Sequence, residues 1–362
     1  MSRILAARGR LPEHKSTQSE ITRVFGDLIV TGEGLDRALL ERLHANTGVS
    51  SRYTALPIED YGRLEDFGQS NDVFLSVAPP LGAQAITAAL SAAGLSAADV
   101  DLLVTTTITG LAVPSLDARI APLLGLRDDV KRMPLVGLGC LAGAAGLARV
   151  HDYLLGHPTE VAVLLSVELC SLTVQRGDTS VANLVASGLF GDGAGAVVLV
   201  GSAHPLASGP SGSGPSAPRP RVAASRSRLY PDTFRAMGWD VGSGGLKIVL
   251  GAEVPSLVAS YVGGDVDAFL DSQGLARSDI EWWVCHPGGP KVLQALEESL
   301  GLSSGETALT WESLDRIGNL SSASVLFVLE DTLALRPPRP GSYGLLLAMG
   351  PGFALEMVLL QA

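Results

Sequence analysis

Short apolar runs, broken by polar or glycine-rich stretches, set the rhythm of this chain. Residues 102–107, 161–167 and 196–200 are rich in Val, Leu and Ala and are bounded by polar or glycine residues, as buried strands are. Residues 83–93 and 290–300 between them read as helices. Residues 141–149, small and apolar, predict another, following a strand that ends near Gly139. Two more apolar runs, 343–348 and 354–360, flank Met349-Gly350-Pro351-Gly352-Phe353. Strand–helix alternation of this kind predicts an α/β fold, its sheet covered on both faces.

One pattern occurs twice. Gly94-Leu95-Ser96-Ala97-Ala98-Asp99-Val100-Asp101 precedes the run ending in Thr105-Thr106-Thr107. Gly274-Leu275-Ala276-Arg277-Ser278-Asp279-Ile280-Glu281 precedes the run ending in Cys285-His286-Pro287. The shared form is G-L-x-x-x-D-(V/I)-(D/E)-x-x-V: a helix end, an acidic turn and a strand. Common αβ-turn chemistry and internal duplication both account for it. On the second account the chain divides into a first half, residues 1–201, and a second half, residues 222–362. The stretch between them, residues 202–221, is rich in Ser, Gly and Pro and reads as a surface loop.

Composition narrows the function. The 362 residues are 46 % hydrophobic and 17 % charged, which excludes a disordered chain. A net charge of −11 without basic runs argues against nucleic-acid binding, while leaving room for a local basic patch that takes an anionic CoA ester. The most apolar charge-free stretch, 133–148, is too short and glycine-rich to span a membrane, and the N-terminus lacks the apolar core of a signal peptide. Cys140, Cys170 and Cys285 are scattered, without metal-ligand or disulfide-framework spacing. The expectation is a cytoplasmic protein with reduced thiols, no metal and no bound cofactor.

Three polar residues stand in settings that could carry chemistry. Cys140 falls at the junction of the strand ending at Gly139 and the small-residue helix, where unpaired N–H groups favour a thiolate. It reads equally as a small buried residue in a tight core. His286 opens the turn Pro287-Gly288-Gly289-Pro290, and is either a structural hydrogen-bonding group or a catalytic one. Asn319, in Gly318-Asn319-Leu320-Ser321-Ser322-Ala323, is either a helix cap or a donor to a developing oxyanion. The Gly-Pro-Gly by itself reads as a hairpin turn.

Taken together, Gly137-Leu138-Gly139-Cys140 with Gly143, Leu189-Phe190-Gly191-Asp192-Gly193-Ala194, His286-Pro287-Gly288-Gly289-Pro290, Gly318-Asn319-Leu320-Ser321-Ser322-Ala323 and Gly350-Pro351-Gly352 resemble the type III polyketide synthases, the chalcone synthase-like enzymes of the thiolase superfamily. The phrases Val113-Pro114-Ser115-Leu116-Asp117-Ala118-Arg119, Ser166-Val167-Glu168-Leu169-Cys170-Ser171-Leu172 and Met237-Gly238-Trp239-Asp240-Val241-Gly242 are similar to the actinomycete members that make alkylpyrones.

That resemblance implies a duplicated, thiolase-like αβαβα fold of five layers and a homodimeric acyltransferase. Cys140 would hold the acyl chain, with its thiolate favoured by a His286 imidazolium. His286 and Asn319 would stabilise the enolate left when a malonyl thioester loses CO2. Phe190 would gate the cavity, and Ile248 stands where plant members place a second gating Phe. Thr109, Cys170, Thr173 and Ser321 would line the cavity. Val113 would cross the dimer interface, and Arg52 would contact CoA. The substrates implied are acyl-CoA and malonyl-CoA or methylmalonyl-CoA, and the product an alkylpyrone. A resorcinol- or dihydroxybenzoate-forming synthase, a single-round β-ketoacyl synthase III-type enzyme and an inert acyl-binding scaffold are the rivals.

Overall fold

The computed structural model describes residues 1–30, 37–208, 219–242 and 244–362. The first half contributes strands β1 (Arg3–Arg10), β2 (His14–Thr17), β3 (Ser51–Thr54), β4 (Leu102–Thr106), β5 (Lys131–Leu135), β6 (Val161–Leu169) and β7 (Asp192–Val200). Its helices are α1 (Gln18–Ile29), α2 (Arg37–Ala45), α3 (Phe67–Ala93), α4 (Leu116–Leu124), α5 (Ala142–Gly156) and α6 (Val181–Leu189). The second half contributes β8 (Arg221–Leu229), β9 (Met237–Gly242), β10 (Gly245–Leu250), β11 (Ile280–Cys285), β12 (Tyr343–Gly350) and β13 (Ala354–Gln361). Its helices are α7 (Val254–Asp271), α8 (Pro290–Leu300), α9 (Ala308–Ile317) and α10 (Ser324–Leu335).

Nine strands run in the order β11-β12-β13-β8-β1-β7-β6-β4-β5. The sheet is two half-sheets joined at one residue pair, Arg3 with Arg221. Every residue of β6 and β7 is buried, because each strand is covered on both faces. Helices α1, α3 and α4 cover the outer face of the first half-sheet. Helices α7 and α8 cover the outer face of the second. Between the half-sheets lie α5 and α10, each touching strands of both. The layers are therefore αβαβα, a thiolase-like fold. Helix α5 fits the central layer because its face is built of Ala142, Gly143, Ala144, Ala145, Gly146 and Ala148, all buried. Helix α3 is long and apolar enough to cross a membrane, but it packs against β1, β6, β7 and α4 as a core helix.

The repeated sequence pattern is a repeated structure. Gly94 and Gly274 both take left-handed conformations, with φ of 74° and 72°. Leu95 and Leu275 each donate an N–H back to the helix, to Leu90 O and Leu270 O. Asp99 and Asp279 each accept the backbone N–H three residues earlier, at 2.7 Å, inside a 3₁₀ turn. Strand β4 follows the first turn and β11 the second, which is the geometry of duplication. Of the stretch expected as a loop, residues 209–218 lie outside the described residues. Pro205–Ser208 forms a 3₁₀ turn, and Arg221 already opens β8.

Candidate active site

Cys140 sits in a 3₁₀ turn, Gly139–Leu141, that runs directly into α5. The turn is tight against its neighbours. A Cβ on Gly350 would lie 2.8 Å from Leu138 O and Leu141 N, so the Gly350-Pro351-Gly352 loop approaches the cysteine turn backbone to backbone. This accounts for the loop better than a hairpin turn alone. On the other side, a Cβ on Gly143 would stand 2.3 Å from Ser322 O, so the turn that precedes α10 also packs here. The starts of α5 and α10 thus meet at the middle of the molecule.

Asn319 is placed by a short bridge to Phe190. Its N–H donates to Leu189 O, and its carbonyl accepts from Gly191 N, both at 3.0 Å. The side-chain Oδ1 accepts the Ser321 N–H at 2.8 Å. That bond fixes the amide's orientation, since only the oxygen end can accept. Nδ2 is then the end that faces out, and it makes one long bond, 3.4 Å, to Gly288 O. Ser321 holds φ at 49°, unusual for a residue with a side chain, and brings its hydroxyl to 3.6 Å from Cys140 Sγ.

His286 follows β11, and its N–H donates to Leu347 O in β12. It is 2 % exposed, and its Nδ1 has no hydrogen-bond partner among the described residues. Gly289, at φ 134°, and Pro290 then open α8 as expected. Cys140, His286 and Asn319 line one cavity of about 330 Å³, together with Phe190, Ile248 and Ser321. Its remaining wall is largely apolar, including Leu43, Val181, Val185, Trp239 and Val292.

Burial governs the charges. It pushes the Cys140 thiol up to about 12, assisted by the nearby Glu168 carboxylate and opposed by the Ser321 hydroxyl. It pushes His286 down to about 3. Burial thus favours the neutral thiol and the neutral imidazole in this cavity.

The other expected residues sit elsewhere. Thr109 and Thr173 line a second cavity of about 310 Å³, with Phe25, Tyr61 and Gln175, and not the wall around Cys140. Cys170 is buried and lines neither cavity. Val113 is 96 % exposed. Arg52 overturns its expected role: it is 1 % exposed, and its guanidinium donates to Phe190 O at 2.5 Å and Ser187 O at 2.8 Å. It holds the backbone at Phe190 and Ser187 from behind, and at 1 % exposure it is not available to a CoA phosphate.

One residue was missed. Glu168, fully buried, accepts from Ile108 N and Thr109 Oγ1 at 3.0 Å, from Thr107 Oγ1 at 3.3 Å, and from Ser322 Oγ. Burial pushes its carboxyl up to about 7, against those hydrogen bonds. An acid inside the long apolar run 161–169 was the available signal.

The chalcone and stilbene synthase family matches both halves, its N-terminal domain over residues 1–204 and its C-terminal domain over 221–362. The chain belongs to this family. It is a type III polyketide synthase, an acyltransferase of the thiolase superfamily. A 1,3,6,8-tetrahydroxynaphthalene synthase of Streptomyces peucetius subsp. caesius is 54 % identical over 99 % of this chain and 92 % of its own. An alpha-pyrone synthesis polyketide synthase-like protein of Mycobacterium tuberculosis is 32 % identical, over 79 % of this chain and 71 % of its own. The crystal structure of the 1,3,6,8-tetrahydroxynaphthalene synthase of Streptomyces coelicolor superposes with a TM-score of 0.89 at 30 % identity, covering 99 % of both chains. The family works on acyl-CoA and malonyl-CoA thioesters.

Proposed function

We propose that this synthase primes and extends with malonyl-CoA and releases 1,3,6,8-tetrahydroxynaphthalene. The observation that carries this is the 54 % identity, over 99 % of the chain, to a synthase named for that product. The ten ring carbons are five two-carbon units. Five malonyl-CoA give one product, five CO2, five CoA and one water.

Each step has a residue on the cavity wall. Cys140 Sγ attacks the thioester carbonyl and CoA leaves as the thiol. His286, kept neutral by burial, takes the cysteine proton during that attack and returns one to the leaving sulfur. With the chain on Cys140, His286 and the outward Nδ2 of Asn319 hold the carbonyl of the next malonyl thioester. Loss of CO2 puts negative charge on that oxygen, and the two donors stabilise it. The carbanion attacks the Cys140 thioester, and the lengthened chain returns to Cys140. No step calls for a metal or a bound cofactor.

The apolar wall of Leu43, Val181 and Val185 favours a second reading, an alkylpyrone built on a fatty acyl-CoA starter. Product mass spectrometry separates the two. Purified protein given malonyl-CoA alone is expected to form the naphthalene product. A requirement for fatty acyl-CoA before any product forms would overturn this, and a lone β-ketoacyl product would point to a single-round synthase.

A homodimer belongs to the same proposal. Leu111, Val113, Phe234 and Val241 are exposed, and all but Val113 border one further cavity, an apolar face that monomers seldom leave to water. Sedimentation is expected to give a dimer, and a species of 37.4 kDa at micromolar concentration would remove that part.

A further inference from the structure

We propose that Arg52 is a positioning residue for Asn319, locking the end of α6 in the first half to the Gly318-Asn319 segment of the second. This rests on the proposed function, in which the Asn319 amide stabilises the enolate left by decarboxylation.

The end of α6 shows how the two are linked. A helix leaves its last four carbonyls without partners of their own. Phe190 leaves α6 in an extended conformation, so the helix is capped from outside. Ala186 O accepts the Phe190 N–H at 3.0 Å. Ser187 O accepts Nη2 of Arg52 at 2.8 Å, and Gly188 O accepts Nε2 of Gln18 at 2.8 Å. Leu189 O accepts the backbone N–H of Asn319 at 3.0 Å. Asn319 therefore hangs on the same helix end that Arg52 caps. The other donor of the fork, Nη1, reaches Phe190 O at 2.5 Å. Phe190 lies between Leu189 and Gly191, the two residues whose backbones bond to Asn319.

Arg52 also touches the second half directly. A Cβ on Gly318 would stand 3.0 Å from Cγ and Cδ of Arg52 and 2.8 Å from Leu189 O. The arginine stem thus packs against the residue that precedes Asn319, which a glycine at φ 73° makes possible. Strand β3, which carries Arg52, is tied to the end of α9 just upstream. Ser50 N donates to Asp315 O at 2.8 Å, and Ser51 Oγ donates to Arg316 O at 2.9 Å. Burial draws the guanidinium down to about 9, with the Asp192 carboxylate foremost among the groups opposing it, so it stays charged at neutral pH. A planar guanidinium spans two carbonyls at once, which the single ammonium of a lysine does not.

The test removes the fork and asks whether the loss passes through Asn319. Given malonyl-CoA, Arg52→Met is expected to form the Cys140 adduct at the wild-type rate. Its CO2 release falls about tenfold to 10²-fold, the cost of misplacing one catalytic group. Introduced into Asn319→Ala, Arg52→Met adds no further loss, because both changes act on one group. Adduct formation and CO2 release that fall together, or two losses that multiply, overturn the assignment. A spectroscopic readout stands apart from the chemistry. The chain has four asparagines, at 46, 71, 183 and 319, so Asn-selective 15N labelling gives four side-chain amide pairs. The Asn319 pair is assigned by its absence in Asn319→Ala. In Arg52→Met that pair is expected to shift while those of Asn46 and Asn71 stay, and an unmoved Asn319 pair overturns the assignment. Should Asn319→Ala release CO2 at the wild-type rate, the proposed role of Asn319 falls, and the spectrum still decides whether Arg52 positions it. Should Arg52→Met fail to fold, Arg52→Lys, which keeps a charge without the fork, carries the same readouts.

Discussion

The two halves of the molecule repeat one local design and use it differently. Strand β4 and strand β11 follow the same glycine-and-aspartate turn. After β4, the chain at Thr107–Thr109 closes on the Glu168 carboxylate, which accepts from three groups there and from Ser322 across the centre. After β11, the chain delivers His286 with Nδ1 left without a partner among the described residues. The central helices differ likewise. α5 begins beside a thiol whose one side-chain partner among the described residues is a hydroxyl at 3.6 Å, whereas α10 begins beside an amide whose oxygen accepts from Ser321 N. Where polar groups are satisfied the duplication builds a scaffold. Where a buried polar group is left without a partner among the described residues, on a residue that lines a cavity, the proposed reaction site lies, since an unsatisfied buried polar group costs stability.

The largest effect expected from breaking this comparison lies at the two helix starts. With Cys140→Ala, no acyl adduct forms on incubation with malonyl-CoA, as read by intact-protein mass spectrometry, and turnover disappears. Asn319→Ala keeps the adduct, because Asn319 is proposed to act only in the later step. Its rate of CO2 release falls by about 10² to 10³, the cost of one oxyanion donor. An Asn319→Ala protein that also fails to acylate would mean that the two helix starts do not divide the chemistry, and that the amide only supports the cysteine turn.

Much of this contrast was legible in the chain. The repeated G-L-x-x-x-D pattern encodes a helix stop, a 3₁₀ turn and a strand start, all of them local, and so it read correctly. Helix α8 was legible because Pro290 opens it and Leu293, Leu296 and Leu300 fall on one face. Arg52 misled, since a charged residue in a short polar strand reads as surface. Its burial comes from the carbonyls at the end of α6, more than a hundred residues away, to which it donates. Glu168 was overlooked for a related reason: its partners Thr107, Thr109 and Ser322 are far off in sequence and met only by folding. The hairpin of β9 and β10 brings Trp239 and Ile248 into register, and a phrase similar to a family motif gave no hint of that pairing.

The smallest expected effect concerns how the unsatisfied side uses its freedom, and it has a definite pH signature. Burial, with the Glu168 carboxylate adding to it and the Ser321 hydroxyl opposing, pushes the Cys140 thiol up to about 12, and burial pushes His286 down to about 3. Burial therefore keeps the imidazole neutral at working pH, and its proposed role is to take the thiol proton during attack. Alkylation of Cys140 by iodoacetamide in the wild type, assisted by that imidazole, is expected to vary little between pH 6 and pH 9. In His286→Ala the only nucleophile is thiolate formed by the solvent, and its fraction grows with each pH unit below the thiol value. The variant should therefore react at least about tenfold more slowly at pH 7, the lower range of what one paired charge does to a cysteine. The gap should be widest at pH 6 and narrow steadily as pH rises. Cys170 and Cys285 are buried, and peptide mapping assigns the label to Cys140. Parallel profiles for the two proteins would show that His286 does not take the Cys140 proton, and would leave it the single task of holding the malonyl carbonyl beside Asn319.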